Sequence, residues 1–162
     1  MSDKIKLLIV DDEEKFLESI AKRLEMRGFD VRTATRGAQA VEIAREEKFD
    51  LALLDLKMPG MDGKQVLEIL KKEHKHIEVI ILTGHGSIDS AIESTKLGAF
   101  GYLPKPYELE KLLETLQQAF QARMEKKFKV DQARMDKLAE LAKGHSALGI
   151  LREMKQLDDS EM

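Results

Sequence analysis

Five short apolar, β-branched runs, three of them continuous rather than alternating, constrain this chain most. They occupy residues 5–10, 31–34, 51–54, 79–82 and 100–103. A strand with one wet face alternates apolar and polar residues. Runs such as Leu-Leu-Ile-Val, Leu-Ala-Leu-Leu and Val-Ile-Ile-Leu instead read as strands buried on both faces. Between them lie longer stretches with helical spacing, marked by Phe16, Ile20, Leu24 and Met26, then by Ala38, Val41, Ala44 and Arg45. Val66, Leu67, Ile69 and Leu70 mark the third, and Ile88, Ala91, Ile92 and Thr95 the fourth. Leu109, Leu112, Leu113, Leu116 and Phe120 mark the fifth and clearest. Five such strand–helix units imply an α/β fold: a doubly wound parallel sheet with helices on both faces. The punctuation agrees, with Gly28 and Gly98 at helix ends and Pro59-Gly60 at a turn.

Composition narrows the function classes. In 162 residues there are 27 Lys+Arg against 30 Asp+Glu, a net charge of −3, which gives no support to a surface that coats nucleic acid or membrane. No cysteine is present, so disulfide scaffolds, thiolate zinc sites and cysteine nucleophiles are excluded. No apolar run approaches the ~18 residues a membrane span needs. The N-terminus enters a strand pattern without a signal-peptide core, so the expected location is cytoplasmic.

In an open parallel sheet, chemistry sits beyond the carboxyl ends of the strands. The first strand ends in Asp11-Asp12, the third in Asp55, the fourth in Thr83-Gly84, and the fifth runs into Pro104-Lys105-Pro106. Each residue has an ordinary reading taken singly: Asp12 as the N-cap of a helix starting near Glu13, Asp11 as a solvated loop acid, Lys105 as a turn lysine. Together they gather three carboxylates at one edge. Such a cluster needs a compensating cation, and hard oxygen ligands favour Mg²⁺ or Mn²⁺. A magnesium ion beside a carboxylate, with a lysine and a threonine hydroxyl near it, points to phosphoryl chemistry, with the central Asp55 as acceptor.

These residues resemble the receiver domain of bacterial two-component response regulators. The matching segments are Leu8-Ile9-Val10-Asp11-Asp12-Glu13, Leu54-Asp55-Leu56-Lys57-Met58-Pro59-Gly60-Met61-Asp62-Gly63, Leu82-Thr83-Gly84-His85-Gly86 and Gly101-Tyr102-Leu103-Pro104-Lys105-Pro106. The segment from Leu82 to Pro106 looks most like receivers of nitrogen-regulatory, sigma-54-activator regulators. The resemblance implies a flavodoxin-like fold with strand order 2-1-3-4-5 and five helices. It implies that Asp55 is the phosphoacceptor, served by a sensor histidine kinase or a histidine phosphotransfer protein. Asp12 and Asp55 would bind Mg²⁺ directly, Asp11 through water, with the Lys57 backbone carbonyl as a further ligand. Thr83 would hydrogen-bond the phosphoryl group and Lys105 would pair with it. The Lys105–Pro106 bond would be cis. Tyr102 would turn inward when Thr83 moves, reshaping the face of the fourth helix, fifth strand and fifth helix toward a downstream protein target. Side chains at Lys57 and His85 would border the route of hydrolytic water.

The resemblance covers residues 4–125, so the expected division is a receiver domain at 1–125 and a helical C-terminal extension at 126–162. An apolar stripe continues through Phe120, Met124 and Phe128, which suits either packing on the same sheet or a homodimer seam. Residues 130–162 hold 5 Lys/Arg against 7 Asp/Glu, a net −2, and Gly144 and Gly149 interrupt them. One or two marginal helices, around Leu138, Leu141 and Ala142 and around Leu148, Leu151, Met154 and Leu157, are expected there, with no DNA-binding output. Gly84-His85-Gly86 does not extend to a dinucleotide fingerprint, because position 89 is Asp, and His74 and His76 lack further ligands. A phosphorylation-dependent protein–protein switch is therefore the leading expectation, rather than an enzyme. An intermediate phosphate carrier in a relay shares every site residue, and a dimerisation module with a vestigial pocket is a third reading.

Overall fold

The computed structural model describes residues 4–58, 60–84 and 88–142, with Thr83, Ile88, Ser90 and Ala91 described in backbone only. The expectations for His85 and for residues 143–162 lie outside the described residues. In chain order the elements are β1 (Ile5–Val10), α1 (Glu14–Met26), β2 (Phe29–Ala34), α2 (Gly37–Glu46) and β3 (Leu51–Asp55). They continue as α3 (Gly63–Glu73), β4 (Glu78–Thr83), α4 (Ile88–Lys96), β5 (Gly101–Pro104) and α5 (Leu109–Ala142). The five strands form one parallel sheet in the order β2-β1-β3-β4-β5, as the resemblance implies.

The continuous apolar runs are buried on both sides of this sheet. Leu8, Val10, Ala52, Leu54, Val79 and Ile81 pack with Ala40, Ala44, Val66, Leu67 and Leu70 of α2 and α3. Leu7, Ile9, Leu51, Leu53, Ile80 and Leu82 pack with Leu17, Ile20 and Leu24 of α1 and Leu112, Leu116 and Ala119 of α5. Each fully buried Leu or Ile side chain contributes about 1.5–3 kcal/mol, so the strand ends are held on a rigid support.

Several helical expectations shift in phase. Met26 is 86% exposed, because α1 ends there, after its last core residue Leu24. Gly28 follows with φ +95°, a left-handed turn that a side chain would strain. In α2 the buried positions are Gly37, Ala40, Val41, Ile43 and Ala44; Ala38 is exposed, and Arg45 points outward to pair with Glu73 at 3.1 Å. In α4, Ile92 and Thr95 are exposed. The N-cap of α1 is Glu13 rather than Asp12, and its side chain makes no cap bond. At α3 a capping box closes the helix start: Asp62 accepts from the Lys64 and Gln65 backbone N–H groups, and the Gln65 side chain accepts from Asp62 N–H.

The chain divides into two compact units, Met1–Arg123 and Met124–Met162. The expected marginal helix around Leu138 is instead the continuation of α5, which runs 34 residues to Ala142. The described part of the second unit carries exposed Met124, Phe128 and Met135. Among the described residues, no helix is long and apolar enough to cross a membrane.

Candidate functional site

Parallel register brings the strand ends to one edge. Val10 of β1 lies opposite Leu54 of β3, so Asp11 and Asp55, one residue on, stand side by side. Asp55 in turn lies opposite Leu82 of β4, and Thr83 lies opposite Pro104 of β5, the residue before Lys105. The structure therefore places Asp11, Asp12, Asp55 and Lys105 in one pocket, with the Thr83 backbone at the same edge. Carboxylate oxygens of Asp11, Asp12 and Asp55 lie within 4.8 Å of one another.

Asp11 is fully buried, and both its oxygens are engaged. Oδ1 accepts the Glu13 N–H at 3.0 Å, and Oδ2 accepts from the Lys105 ammonium at 2.6 Å. Asp55 is 6% exposed; its Oδ1 accepts the Lys57 N–H at 3.1 Å, and its Oδ2 lies 3.7 Å from Lys105 Nζ. Asp12 is exposed. Lys105 also lies 3.9 Å from Glu13 Oε1 and 4.8 Å from the centroid of the Phe16 ring. The Lys105–Pro106 bond is cis, as the resemblance implies.

Three negative charges thus face one ammonium. At this separation two carboxylates repel by about 3 kcal/mol in the effective dielectric of a protein surface. Burial raises the Asp55 carboxyl above its ordinary range; the Lys57 N–H and the Lys105 ammonium oppose that, and Asp11 and Asp12 add to it. Burial works against the Lys105 charge, but the hydrogen bond to Asp11 and the charges of Asp55, Asp11 and Glu13 prevail and hold it above the ordinary lysine range. The donor set is all oxygen, with no imidazole or thiolate, and it fits a hard divalent cation such as Mg²⁺.

The loop behind Asp55 tolerates no side chain at Gly63. A Cβ there would stand 2.6 Å from the Leu56 Cα and 2.7 Å from the Asp55 carbonyl oxygen, both backbone atoms. Gly63→Ala must push that loop away, at an expected cost of about 1–3 kcal/mol in urea denaturation. An unchanged midpoint would show that the approach is not as close as described.

Other site residues stand as follows. Lys57 is exposed, and its backbone N–H is what reaches Asp55. Tyr102 is 46% exposed on β5. Sequence reasoning missed two neighbours of Lys105. Phe16 was expected only as part of the α1 core stripe, and Tyr107, which meets its ring edge-on, was not singled out. Tyr107 follows Lys105 by two residues, whereas the place of Phe16 beside the ammonium depends on tertiary packing that no local pattern encodes.

The profile of the response regulator receiver domain matches residues 7–117. An NtrX-like response regulator of Rickettsia typhi is 37% identical over 130 residues, covering 79% of this chain and 27% of that protein. The transcriptional regulatory protein GlrR of Escherichia coli K12 is 38% identical over 115 residues, covering 71% of this chain and 26% of that protein. The chain therefore spans about a quarter of the length of these curated relatives. A response regulator receiver domain protein of Clostridium thermocellum, known from its crystal structure, aligns with a TM-score of 0.71 at 38% identity, covering 74% of this chain and 97% of that one.

Proposed function

This chain belongs to the response regulator receiver domain family, and from that premise we propose that Asp55 accepts a phosphoryl group from a phosphohistidine and holds it as a signalling state. Receiver domains are signalling modules rather than classical enzymes. The donor is a sensor histidine kinase or a histidine phosphotransfer protein. The observation that carries the reading is the setting of Asp55: a buried strand-end carboxylate within 4.8 Å of two others, with a lysine ammonium at 3.7 Å.

The residues divide the work. The Lys57 N–H holds Asp55 Oδ1, which orients the carboxylate and leaves Oδ2 on the Lys105 side. A carboxylate oxygen forms the new O–P bond as the P–N bond to the donor imidazole breaks, and the imidazole leaves as a neutral base when its other nitrogen carries a proton. Lys105 then pairs with the phosphoryl oxygens, and Thr83 donates its hydroxyl to them. Magnesium, held by Asp11, Asp12, Asp55 and the Lys57 backbone carbonyl, would neutralise charge on the phosphoryl oxygens. The new charge of about −1.5 to −2 draws Thr83 toward Asp55 and opens space for Tyr102. That change reshapes the face of α4, β5 and the start of α5, where Ile92, Leu97 and Tyr102 are exposed. A downstream target or a second copy of the chain reads the altered face. In the other unit, Met124, Phe128 and Met135 supply apolar surface for a second copy.

Beryllofluoride, a phosphoryl mimic, tests this with Mg²⁺ present. At one hundred times its dissociation constant it stabilises the wild-type protein by about 2.7 kcal/mol. Asp55→Asn shows no such gain. Solution mass measured on the same samples reports a second copy. A wild-type protein indifferent to the mimic contradicts the reading.

A further inference from the structure

The ammonium of Lys105 has carboxylates on three sides: Asp11 at 2.6 Å, Asp55 at 3.7 Å and Glu13 at 3.9 Å. The fourth neighbour is a ring. Phe16, from the first turn of α1, presents its face to Nζ with the centroid 4.8 Å away. The Lys105 side chain is only 19% exposed, so little water competes for the ammonium. Phe16 is itself held in place: Tyr107 meets it edge-on, with centroids 6.0 Å apart and planes at 81°, and both pack on the cluster under α1 and α5. Burial, with Asp11 adding to it, pushes the Tyr107 phenol up, so Tyr107 brings no charge beside the ammonium.

A ring differs from the acids in one respect. Two of the three acids change state during the function proposed above: Asp11 would turn to the metal ion, and Asp55 becomes an acyl phosphate. Glu13, the most distant at 3.9 Å, is 68% exposed, so water screens its charge. The ring's negative face attracts a cation in the same way throughout. We propose that Phe16 is a positioning residue for Lys105: its ring face keeps the ammonium over the pocket while the ammonium passes from Asp11 to the phosphoryl oxygens on Asp55. This inference rests on the phosphoryl-acceptor reading of Asp55. Phe16 touches neither donor nor phosphate, and it acts through Lys105 alone.

A fluorinated series tests it, because fluorine drains the ring's quadrupole and leaves its shape nearly unchanged. Phe16 is replaced by mono-, di- and trifluorophenylalanine in the full chain, with Phe16→Trp as the variant that keeps a strong cation-binding face. Two quantities are read. One is the initial rate of phosphorylation by acetyl phosphate with Mg²⁺. The other, in metal-free protein, is the upfield ring-current shift of the Lys105 ε-methylene protons by NMR. The rate is expected to fall stepwise with fluorination, by about tenfold across the series, and to be retained in Phe16→Trp. The Lys105 shift is expected to relax toward its free value in the same order. A flat rate or a flat shift across the fluorinated series overturns the proposal, because packing alone would then account for Phe16. Failure of the Asp55 reading has a separate signature: the wild-type protein itself takes no phosphoryl group, and the metal-free shift, which needs neither donor nor magnesium, then decides on the ring alone.

Discussion

Replacing Lys105 by methionine destabilises the metal-free protein by about 3 kcal/mol. Methionine keeps most of the apolar stem, so the loss isolates the ammonium. Asp11 is fully buried, and Lys105 is the partner of its Oδ2 at 2.6 Å. Removing that partner leaves a buried carboxylate within 4.8 Å of two others, with no cation to offset them. The pH dependence follows from direction. Lys105 titrates above the ordinary lysine range when folded, because its ion pairs outweigh the burial that opposes its charge. Its contribution is therefore fully present below the ordinary lysine pKa and is lost as pH rises through the higher folded value. The variant's deficit should persist at neutral pH and shrink only in strong alkali. A second consequence concerns magnesium. The ammonium and a divalent cation compete for the same carboxylates, so added Mg²⁺ should stabilise Lys105→Met more than it stabilises the wild-type protein. Urea denaturation with chelator and with Mg²⁺ measures both effects. A deficit below about 1 kcal/mol, or an equal magnesium response, contradicts the description of the pocket.

Asp55→Asn is expected to abolish phosphoryl acceptance and yet to stabilise the metal-free fold at neutral pH. Asparagine has nearly the same shape, and its carbonyl oxygen can still accept the Lys57 N–H that now reaches Oδ1 at 3.1 Å. Its amide is not a nucleophile toward phosphorus, so acceptance is lost entirely rather than slowed. The stability gain follows from crowding. Burial raises the folded Asp55 carboxyl above the ordinary value of 3.8, despite the Lys57 N–H and Lys105, with Asp11 and Asp12 adding to the rise. The folded state thus binds the proton more tightly than the unfolded chain. Wild-type stability then falls as pH rises through the window just above that ordinary value, and the variant escapes the loss. Thermal midpoints below that window and at neutrality separate the two. The variant's advantage should be absent in the acid sample and present at neutrality. An advantage that is largest in acid contradicts this account.

The strands and the pocket were legible for one reason. A strand buried on both faces cannot be polar, so 5–10, 51–54 and 79–82 stand out as continuous apolar runs. The acids that follow them inherit a common edge from parallel register. The helices were less legible where side-chain chemistry blurs the period. Met26 is apolar yet lies past the last buried turn, and small residues such as Ala38 and Ala40 do not reveal which of them faces the core. β2 starts at Phe29, but its apolar run shows only from residue 31, because Asp30 interrupts the pattern. The length of α5 was underestimated because its later turns are polar. The usable signal was the absence of Gly and Pro between Leu109 and Lys143, with good helix formers throughout. The α3 capping box was written in Asp62 and Gln65, three residues apart, just before an apolar run. The ring beside Lys105 was not legible, because Phe16, on the first turn of α1, and Lys105, just after β5, come together only in the tertiary fold.

The most direct test is to find the phosphoryl group on the chain. Wild-type protein is incubated with acetyl phosphate and Mg²⁺, weighed intact by mass spectrometry, then reduced with borohydride, which converts an aspartyl phosphate to homoserine. Peptide mapping locates the homoserine. One phosphoryl group per chain, taken up only with Mg²⁺ and mapped to position 55, is the predicted result. Homoserine at another acid, or phosphoryl uptake that survives in Asp55→Asn, contradicts it.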